Sequence, residues 1–285
     1  MESKNLIKIA SFNVHMWSDR DDTFSIERFK KTIEKNLPDI LCLQEVVCPF
    51  VFPIYDAIDQ QQSEECEDAL KYLANTFGME YHFYPSYQSD FGNAILFNKS
   101  KLKGEQILYK EVSSKKNDKR SFGVVSFDFN SFTFDVCCTH LDHISEETRL
   151  KQLDEIFNSF KENQIFEKYH FFVGDFNSLS LAEDYSLQNW EKIEKVRRKN
   201  FWELPKLDVY KRITQKENYI DCWKKIHPEI KDEFTCWAQT RIDYIFASQK
   251  VFQTESPFKL LSSYSINSNA SDHKLIISEF LVDLK

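Results

Sequence analysis

The chain has 285 residues, of which 42% are hydrophobic and 15% aromatic, and its formal net charge is −8. A chain of this length and composition can bury a large core, and we expect one domain spanning residues 1–285 rather than two smaller ones. The negative charge excludes a broad electrostatic surface for nucleic acid, so a polyanionic partner would have to meet a local basic patch or a bound metal ion.

The start of the chain and its cysteines indicate a compartment. The opening residues, "MESKNLIKIASF", contain no long apolar core of the kind found in a signal peptide. No later segment has the roughly 18 to 20 uninterrupted apolar residues of a membrane helix. The seven cysteines form no Cys-x-x-Cys pair, and the adjacent Cys137 and Cys138 must point to opposite faces of their strand. We therefore expect a reduced chain without a transmembrane segment in the cytoplasm, with the nucleus as the alternative.

Two inner strands with a helix between them open the chain. The runs "IKIASFNV" and "DILCLQEV" are apolar and rich in β-branched residues, which is typical of buried strands. Between them, apolar residues recur at helical spacing at Ile26, Phe29, Ile33 and Leu37. The pattern predicts a β-α-β unit whose helix buries this one face.

A second helix is predicted at residues 64–77. Its apolar stripe ends at Phe77, and Gly78 supplies the stop. Acidic residues at the start favour this boundary, because they complement the positive end of the helix dipole. The preceding run, "CPFVFPIYDAIDQQQ", is predicted to be a surface loop.

Strand patterns dominate the middle of the chain from Tyr81. The runs "YHFYP", "GNAILFNK", "KGEQILYK", "SFGVVSFDF" and "FTFDVCCTH" are short, aromatic and β-branched, and Asn130-Ser131 forms a turn between the last two. They predict a meander of antiparallel strands. A helix at residues 150–160, the strand "YHFFVGDFN" and two closing strands, "RIDYIFAS" and "SDHKLIISEFLV", follow. Helices interleaved with strands in both halves indicate two stacked sheets with helices outside.

Polar residues stand beside these apolar strands, where a layered sandwich can bring them to one rim. They are Asn13, Glu45, Asn93, His140, Asp175, Asn177, Arg241, Asp243, Asp272 and His273. Each alone is more often a turn residue or a solvated side chain. Together they supply carboxylates for a hard cation, a base for water, and donors for developing negative charge, which is what hydrolysis of a phosphate ester requires.

Seven motifs in the chain resemble those of the endonuclease/exonuclease/phosphatase superfamily, the DNase I-like fold. In chain order from Asn13 to His273 they are "SFNVH", "LCLQEV", "GNAILFN", "CCTHLD", "FVGDFNS", "RIDYIF" and "SDHKLI". The resemblance implies an α/β fold, a four-layered α-β-β-α sandwich of two stacked mixed or antiparallel sheets with helices outside. It also implies a metal-dependent phosphoric ester hydrolase.

The resemblance further implies a metal and a base. Glu45 would be the principal Mg²⁺ ligand, with Mn²⁺ as the alternative ion, and Asn13 and Asp272 would complete the surroundings of the metal. This shell suits Mg²⁺, which prefers oxygen ligands and keeps several waters. Asp175 would orient and deprotonate the attacking water, and Asn177 would donate to a phosphate oxygen.

The remaining members of the set receive roles by the same resemblance. His273, held by Asp243, and His140 would donate to the non-bridging oxygens of the pentavalent phosphate. Asn93 would support the site. Arg241 would either bind phosphate or brace Asp243.

Two departures narrow the branch of the superfamily. The abasic-site endonucleases have an acid where this chain has His15, and they use another residue type where it has His140. Both features point to branches that resemble DNase I, the deadenylases, the tyrosyl-DNA phosphodiesterases, the sphingomyelinases and the inositol polyphosphate phosphatases.

Three functions remain open. Residues 195–212, "KVRRKNFWELPKLDVYKR", mix basic and aromatic side chains that could bind nucleic acid, although an ordinary surface helix and loop have the same composition. Residues 113–120, "SSKKNDKR", are predicted to be a solvated hairpin loop, and His143 a structural or surface residue. We favour a monomeric phosphodiesterase that acts on nucleic acid as a nuclease or end-processing hydrolase. The alternatives are a phosphoinositide or sphingomyelin phosphohydrolase and a non-catalytic binding module.

Overall fold

The computed structural model describes residues 5–55, 62–87, 90–114 and 119–283. The strands are β1 (Leu6–Asn13), β2 (Ile40–Val47), β3 (Val51–Tyr55), β4 (Gln62–Asp68), β5 (Met79–Tyr87), β6 (Phe91–Asn98), β7 (Lys103–Val112), β8 (Arg120–Phe129), β9 (Phe132–His140), β10 (Tyr169–Asp175), β11 (Ile220–Asp221), β12 (Asp243–Ala247), β13 (Phe258–Ile266) and β14 (Leu275–Val282). The helices are α1 (Ile26–Glu34), α2 (Ala69–Phe77), α3 (Glu146–Glu162), α4 (Leu187–Lys199), α5 (Asp208–Lys211) and α6 (Cys222–Ile226).

Two six-stranded mixed sheets form the centre of the molecule. The first has the order β13-β14-β1-β2-β6-β5, and the second has the order β11-β12-β10-β9-β8-β7. Within them, β1 pairs in parallel with β2, and β9 pairs in parallel with β10. Helices α1 and α3 make the two crossovers between these parallel pairs, as expected for connections of this kind. The predicted two-sheet sandwich with helices outside is confirmed.

Three large apolar clusters define the layers. The first lies between the sheets and includes Phe134, Phe171 and Phe280. The second packs α1 and α2 on the first sheet, and the third packs α3 and α5 on the second. Cys138 belongs to the cluster between the sheets and Cys137 to the cluster under the helices, so the two side chains point to opposite faces as predicted.

Helix α1 is shorter than its sequence pattern. Ile26, Phe29 and Ile33 are buried against the first sheet, as predicted. The helix ends at Glu34, and Leu37 lies beyond it with 43% of its surface exposed. Leu37 is therefore not part of the buried stripe.

The predicted start of the second helix and the loop before it are both wrong. Residues of β3 and β4 pair antiparallel, with Val51 opposite Asp68, so part of the expected loop is strand. The helix begins at Ala69 because the Asp68 carboxylate accepts a hydrogen bond from the Lys71 amide, an N-cap that fixes the boundary. Gly78 ends it in the left-handed region, as predicted. Residues 48–50 of the predicted loop are neither helix nor strand, as predicted, and residues 56–61 lie outside the described residues.

The predicted meander divides between the two sheets. Strands β5 and β6 pair with each other in the first sheet, whereas β7, β8 and β9 form one edge of the second. Alternating hydrophobicity marks a half-buried strand without naming its partner, so the pattern could not reveal the division. The turn between β8 and β9 is as predicted, with positive φ at both Asn130 and Ser131.

Within the described ranges, no helix has the length and apolar character needed to cross a membrane.

Candidate active site

The predicted site residues come from strand ends of both sheets. Asn13 ends β1, and His140 and Asp175 end the parallel strands β9 and β10. Asp243 begins β12 and is the register partner of Asp175, which is also the partner of His140. Because β9 and β10 are parallel and β12 is antiparallel to them, all three side chains lie at one edge of the second sheet.

Asn13 joins the two sheets at this edge. Its Nδ2 donates to Glu45 Oε1 at 3.0 Å and to Asp175 Oδ2 at 3.1 Å, and its Oδ1 accepts from the His15 amide at 2.9 Å. Glu45 has a φ of 55° and lies where the pairing of β2 with β6 is interrupted, between Leu43 and Val46. Such an irregularity re-aims a side chain and directs this carboxylate to the site.

Asp175 lies at the centre of the cluster. Its Oδ2 is 3.6 Å from His140 Nε2 and 3.9 Å from His273 Nε2. Only 1% of the residue is exposed, and burial, followed by repulsion from Asp243, raises the pKa of Asp175 to about 7. This carboxyl group can therefore take or release a proton near neutral pH.

His273 is held in a buried chain of hydrogen bonds. Its Nδ1 is 2.9 Å from Asp243 Oδ2, and the Thr235 hydroxyl donates to the same oxygen. Thr235 Oγ1 in turn accepts from the amides of Ile242 and Asp243, both at 3.1 Å. Burial opposes the charged imidazolium, but the charge and hydrogen bond of Asp243 outweigh it and raise the pKa of His273 well above its usual value. The ring is cationic at neutral pH.

His140 has the opposite character. Burial, followed by the charges of Arg120 and His273, holds the pKa of His140 well below its usual value, so the ring is neutral. Its Nε2 is 3.0 Å from Asn177 Nδ2, which also donates to the Leu141 carbonyl at 3.0 Å. Both hydrogens of the Asn177 amide are therefore engaged, and the predicted contact of this amide with a phosphate requires exchange of one hydrogen bond.

Asp272 lies on the other side of His273. Its Oδ1 is 3.9 Å from His273 Nε2 and also 3.9 Å from His15 Nδ1. The loop that carries it is fixed by Ser271, whose hydroxyl donates to the Asn13 carbonyl at 2.7 Å. Asp272 thus belongs to the same cluster as the other predicted residues.

The described hydrogen bonds of Asn93 do not include another predicted site residue. Its Nδ2 donates to the carbonyl of Ser121 at 2.9 Å, which links β6 of the first sheet to β8 of the second. Its Oδ1 is buried without a hydrogen-bond partner among the described residues. The contacts of Asn93 are those of a residue that joins the two sheets.

The predicted contact between Arg241 and Asp243 is absent from the described hydrogen bonds and ion pairs. Arg241 is buried, and its Nη1 donates to Asp221 Oδ2 at 2.7 Å. Its guanidinium also lies over the rings of Tyr244 and Trp223, at 4.6 and 5.0 Å from their centroids. Asp221 offers the nearer carboxylate, whereas Asp243 is already engaged by Thr235 and His273. Arg241 therefore contacts β11 through Asp221, and its alternative role of binding phosphate stays a prediction.

Sequence reasoning missed two residues of the site. Thr235 orients Asp243, but a lone threonine in a connecting segment carries no signal in the sequence. Arg120 was predicted to lie in a solvated loop, yet it begins β8 and only 5% of it is exposed. The distance from Arg120 Nη2 to His143 Nδ1 is 3.0 Å. Its charge acts on His140, so both Arg120 and the exposed His143 contribute to this flank of the site.

The carboxyl groups of the cluster fit a hard divalent cation. Glu45 keeps 22% of its side chain exposed, so its oxygens can be reached from solvent. Asp175, Asp243 and His273 also offer ligand atoms within 4.8 Å of one another. A cationic imidazole is a poor ligand, however, and Mg²⁺ prefers oxygen. Carboxylate oxygens are available for such a cation at Glu45, Asp175 and Asp243.

Comparison with known proteins identifies the relatives of this architecture. Residues 10–273 match the family model described as Endonuclease/Exonuclease/phosphatase family. No curated protein matches the sequence at a significant level.

Solved structures share the fold at low sequence identity. The catalytic domain of human Nocturnin with bound sulfate anion has a TM-score of 0.66 at 18% identity, over 97% of this chain and 93% of that one. A mannosyl-6-phosphatase of Bacteroides thetaiotaomicron has a TM-score of 0.60 at 16% identity, over 96% and 99% of the two chains. TDP2 of D. rerio, humanized by 14 mutations, has a TM-score of 0.59 at 17% identity, over 97% and 99%.

Proposed function

The chain belongs to the endonuclease/exonuclease/phosphatase family, and from this premise we propose that it is a metal-dependent phosphodiesterase acting on nucleic acid. It would work as a nuclease or as a hydrolase that processes nucleic-acid ends. The observation that carries the proposal is the buried Asp175, whose pKa near 7 and position between two histidines suit a general base.

Asp175 accepts the proton of the attacking water. A carboxyl group of ordinary pKa is a weak base at neutral pH, and burial beside Asp243 makes this one stronger. The backbone amide of Asn177 donates to Asp175 Oδ1 at 2.9 Å, and the side chain of Asn13 donates to Oδ2. The carboxylate therefore has a fixed orientation. The water is deprotonated at Oδ2, the oxygen that also faces both histidines.

His273 stabilises the charge that develops on phosphate. Its cationic ring donates through Nε2 to a non-bridging oxygen, while Asp243 and Thr235 hold Nδ1 in place. Neutral His140 contacts Asn177 Nδ2 and lies 3.6 Å through Nε2 from Asp175 Oδ2, the oxygen that His273 also approaches. A phosphate bound beside this oxygen would be within reach of both rings.

Glu45 would hold Mg²⁺, with Mn²⁺ as the alternative ion, and Asn13 and Asp272 would surround it through direct or water-mediated contacts. When bound, the metal supplies Lewis-acid stabilisation of the phosphate oxygens. The carboxylates of Glu45, Asp175, Asp243 and Asp272 give the site the negative charge that such a cation balances.

The first experiment measures Mg²⁺-dependent hydrolysis of single- and double-stranded DNA, RNA, a 5′-tyrosyl DNA end, phosphoinositides and sphingomyelin. We expect a nucleic acid to be cleaved, and we expect Asp175→Asn to lower turnover by about 10²- to 10⁴-fold, because it removes the base and keeps the shape. The control is Asp128→Asn, the same change at an exposed position in β8. Wild-type turnover in Asp175→Asn would reject the base, and exclusive turnover of a lipid would reject the substrate class.

A second experiment addresses the metal separately. Glu45→Gln should weaken Mn²⁺ binding, because it removes the charge of the proposed ligand. Calorimetry or electron paramagnetic resonance measures this binding. An unchanged titration would place the metal on other residues.

A further inference from the structure

Three separate segments bring large exposed side chains to the rim next to His273. Trp237 follows Cys236, which pairs with His273 in an isolated β-bridge. The Trp237 amide also donates to the Asp272 carbonyl at 2.9 Å. The Trp237 backbone therefore lies beside the loop of Asp272 and His273, and 39% of this residue is exposed.

Trp202 reaches Trp237 from the segment after α4. The two ring centroids are 5.8 Å apart with an interplanar angle of 71°, and Trp202 is 44% exposed. This segment is anchored on the opposite flank of the site, because Glu203 Oε2 accepts from the Glu146 amide at 2.7 Å at the start of α3. The Trp202–Trp237 pair thus spans the rim between the loop that precedes α3 and the loop of Asp272.

Arg20 completes the arrangement from the loop after β1. Its guanidinium carbon lies 5.4 Å from the centroid of the Trp237 ring, and the residue is exposed. The neighbouring Asp19 is engaged by Arg28 at 2.6 Å, and Asp21 and Asp22 follow Arg20 in the chain. A cation and two indoles therefore face solvent together.

Acidic and basic side chains both lie near these rings, and the basic ones cluster at the end of α4. Helix α4 ends in Arg197, Arg198 and Lys199, and Asn200 separates it from Phe201, which is 96% exposed. Glu194 pairs with Arg198 at 3.5 Å and Glu203 pairs with Lys206, whereas Lys199 takes part in none of the described ion pairs. Exposed aromatic rings among basic side chains form the surface that single-stranded nucleic acid requires, since bases stack on rings and phosphates meet cations.

We propose that Trp202, Trp237 and Arg20, the rim platform, stack a base of single-stranded nucleic acid beside the scissile phosphate. This inference rests on the proposed function, because it names the substrate form of the same site. A single strand is favoured over a duplex, since paired bases cannot present their faces to the indoles.

The test compares two ligands of equal charge, an oligothymidine and an abasic phosphodiester oligomer of the same length. Binding is measured in the presence of Mg²⁺ with the Asp175→Asn protein, so that neither ligand is consumed, and tryptophan fluorescence reports stacking directly. We expect oligothymidine to bind about tenfold or more tightly than the abasic oligomer and to quench the fluorescence. Trp202→Ala with Trp237→Ala should remove this difference while leaving abasic affinity unchanged.

Matched variants separate stacking from a structural effect. Trp202→Phe with Trp237→Phe should restore most of the preference for bases, and Leu261→Ala, an exposed apolar truncation on β13, should not alter it. Equal affinity of the Asp175→Asn protein for the two ligands would overturn the rim platform and leave the phosphodiesterase proposal intact. Failure to bind either ligand, together with no cleavage of nucleic acid by the wild type, would overturn both.

Discussion

At the scale of single residues, the candidate site gains its chemistry from opposite protonation preferences within a few ångströms. His273 is cationic because the charge and hydrogen bond of Asp243 raise its pKa by more than burial lowers it. His140 is neutral because burial lowers its pKa and no carboxylate compensates for that effect. Asp175, between them, titrates near neutrality. Groups whose surroundings push their pKa values apart are the ones that can divide acid and base roles.

His170 should make the stability of the protein depend on pH. Burial outweighs its hydrogen bond to the Lys168 carbonyl and lowers the pKa of His170 to about 4. As pH falls from about 6.5 to about 4, His170 binds a proton in the unfolded chain but not in the folded one. The free energy of unfolding therefore falls. The loss from this residue should approach about 3 kcal/mol. Urea unfolding at several pH values measures it.

The matched variant for this prediction is His170→Gln, which does not titrate. His170 Nε2 meets the Tyr219 hydroxyl at 2.6 Å, and a glutamine oxygen can accept the same bond. Between pH 7 and pH 4, the free energy of unfolding of this variant should fall by about 3 kcal/mol less than that of the wild type. Identical pH slopes in the two proteins would show that His170 titrates normally.

At the scale of elements, the approach of β9 and β10 places Asp175. Gly174 has a φ of 145°, and a β-carbon built on it would lie 1.9 Å from the Thr139 carbonyl oxygen. Only glycine permits the two parallel strands to come this close immediately before the proposed base. The strand pair and the site are therefore specified by the same residue.

Gly174→Ala should destabilise the protein by roughly 3 kcal/mol or more, because the methyl group strains the backbone and collides with Thr139. Gly78→Ala is the control, since Gly78 also has a positive φ but has no atom within 4 Å of its added carbon. Gly78→Ala should lower the free energy of unfolding by only about 1 kcal/mol. Urea denaturation gives both values, and equal losses would mean that the contact with Thr139 relaxes freely.

At the scale of the whole molecule, one aromatic core joins the two sheets. The Phe171 ring of β10 lies 5.9 Å from Phe134 in its own sheet. It also lies 5.5 Å from Phe258 and 5.0 Å from Phe280 in the other sheet. Because these contacts are shared, neither sheet keeps its core when the other unfolds, and we expect one cooperative transition.

Phe171→Ala should lower the free energy of unfolding by about 3 to 5 kcal/mol, because it leaves a cavity between the sheets. Circular dichroism and tryptophan fluorescence should still give coincident urea transitions. Phe201→Ala makes the same truncation at a residue that is 96% exposed and should change stability by less than about 0.5 kcal/mol. Two separate transitions in the wild type would contradict a shared core.

The sequence by itself determined the two-sheet class of the fold and most of the residues now found at the site. Strand periodicity is a local property, and polar residues that end apolar strands are visible without coordinates. Asn13, Glu45, His140, Asp175 and His273 could therefore be selected from their positions at strand ends, and the structure brings their side chains together.

Only the tertiary structure decided which segments meet. Alternation does not name the sheet that a hairpin joins, so the division of the meander was invisible. Arg241 donates a hydrogen bond to Asp221, and Thr235 donates one to Asp243. Which residues pair depends on their distances and geometry in the folded chain, which the sequence does not reveal. Trp202 and Trp237 became neighbours at the rim for the same reason. Local patterns fix what an element is, whereas its contacts depend on the packing of the whole chain.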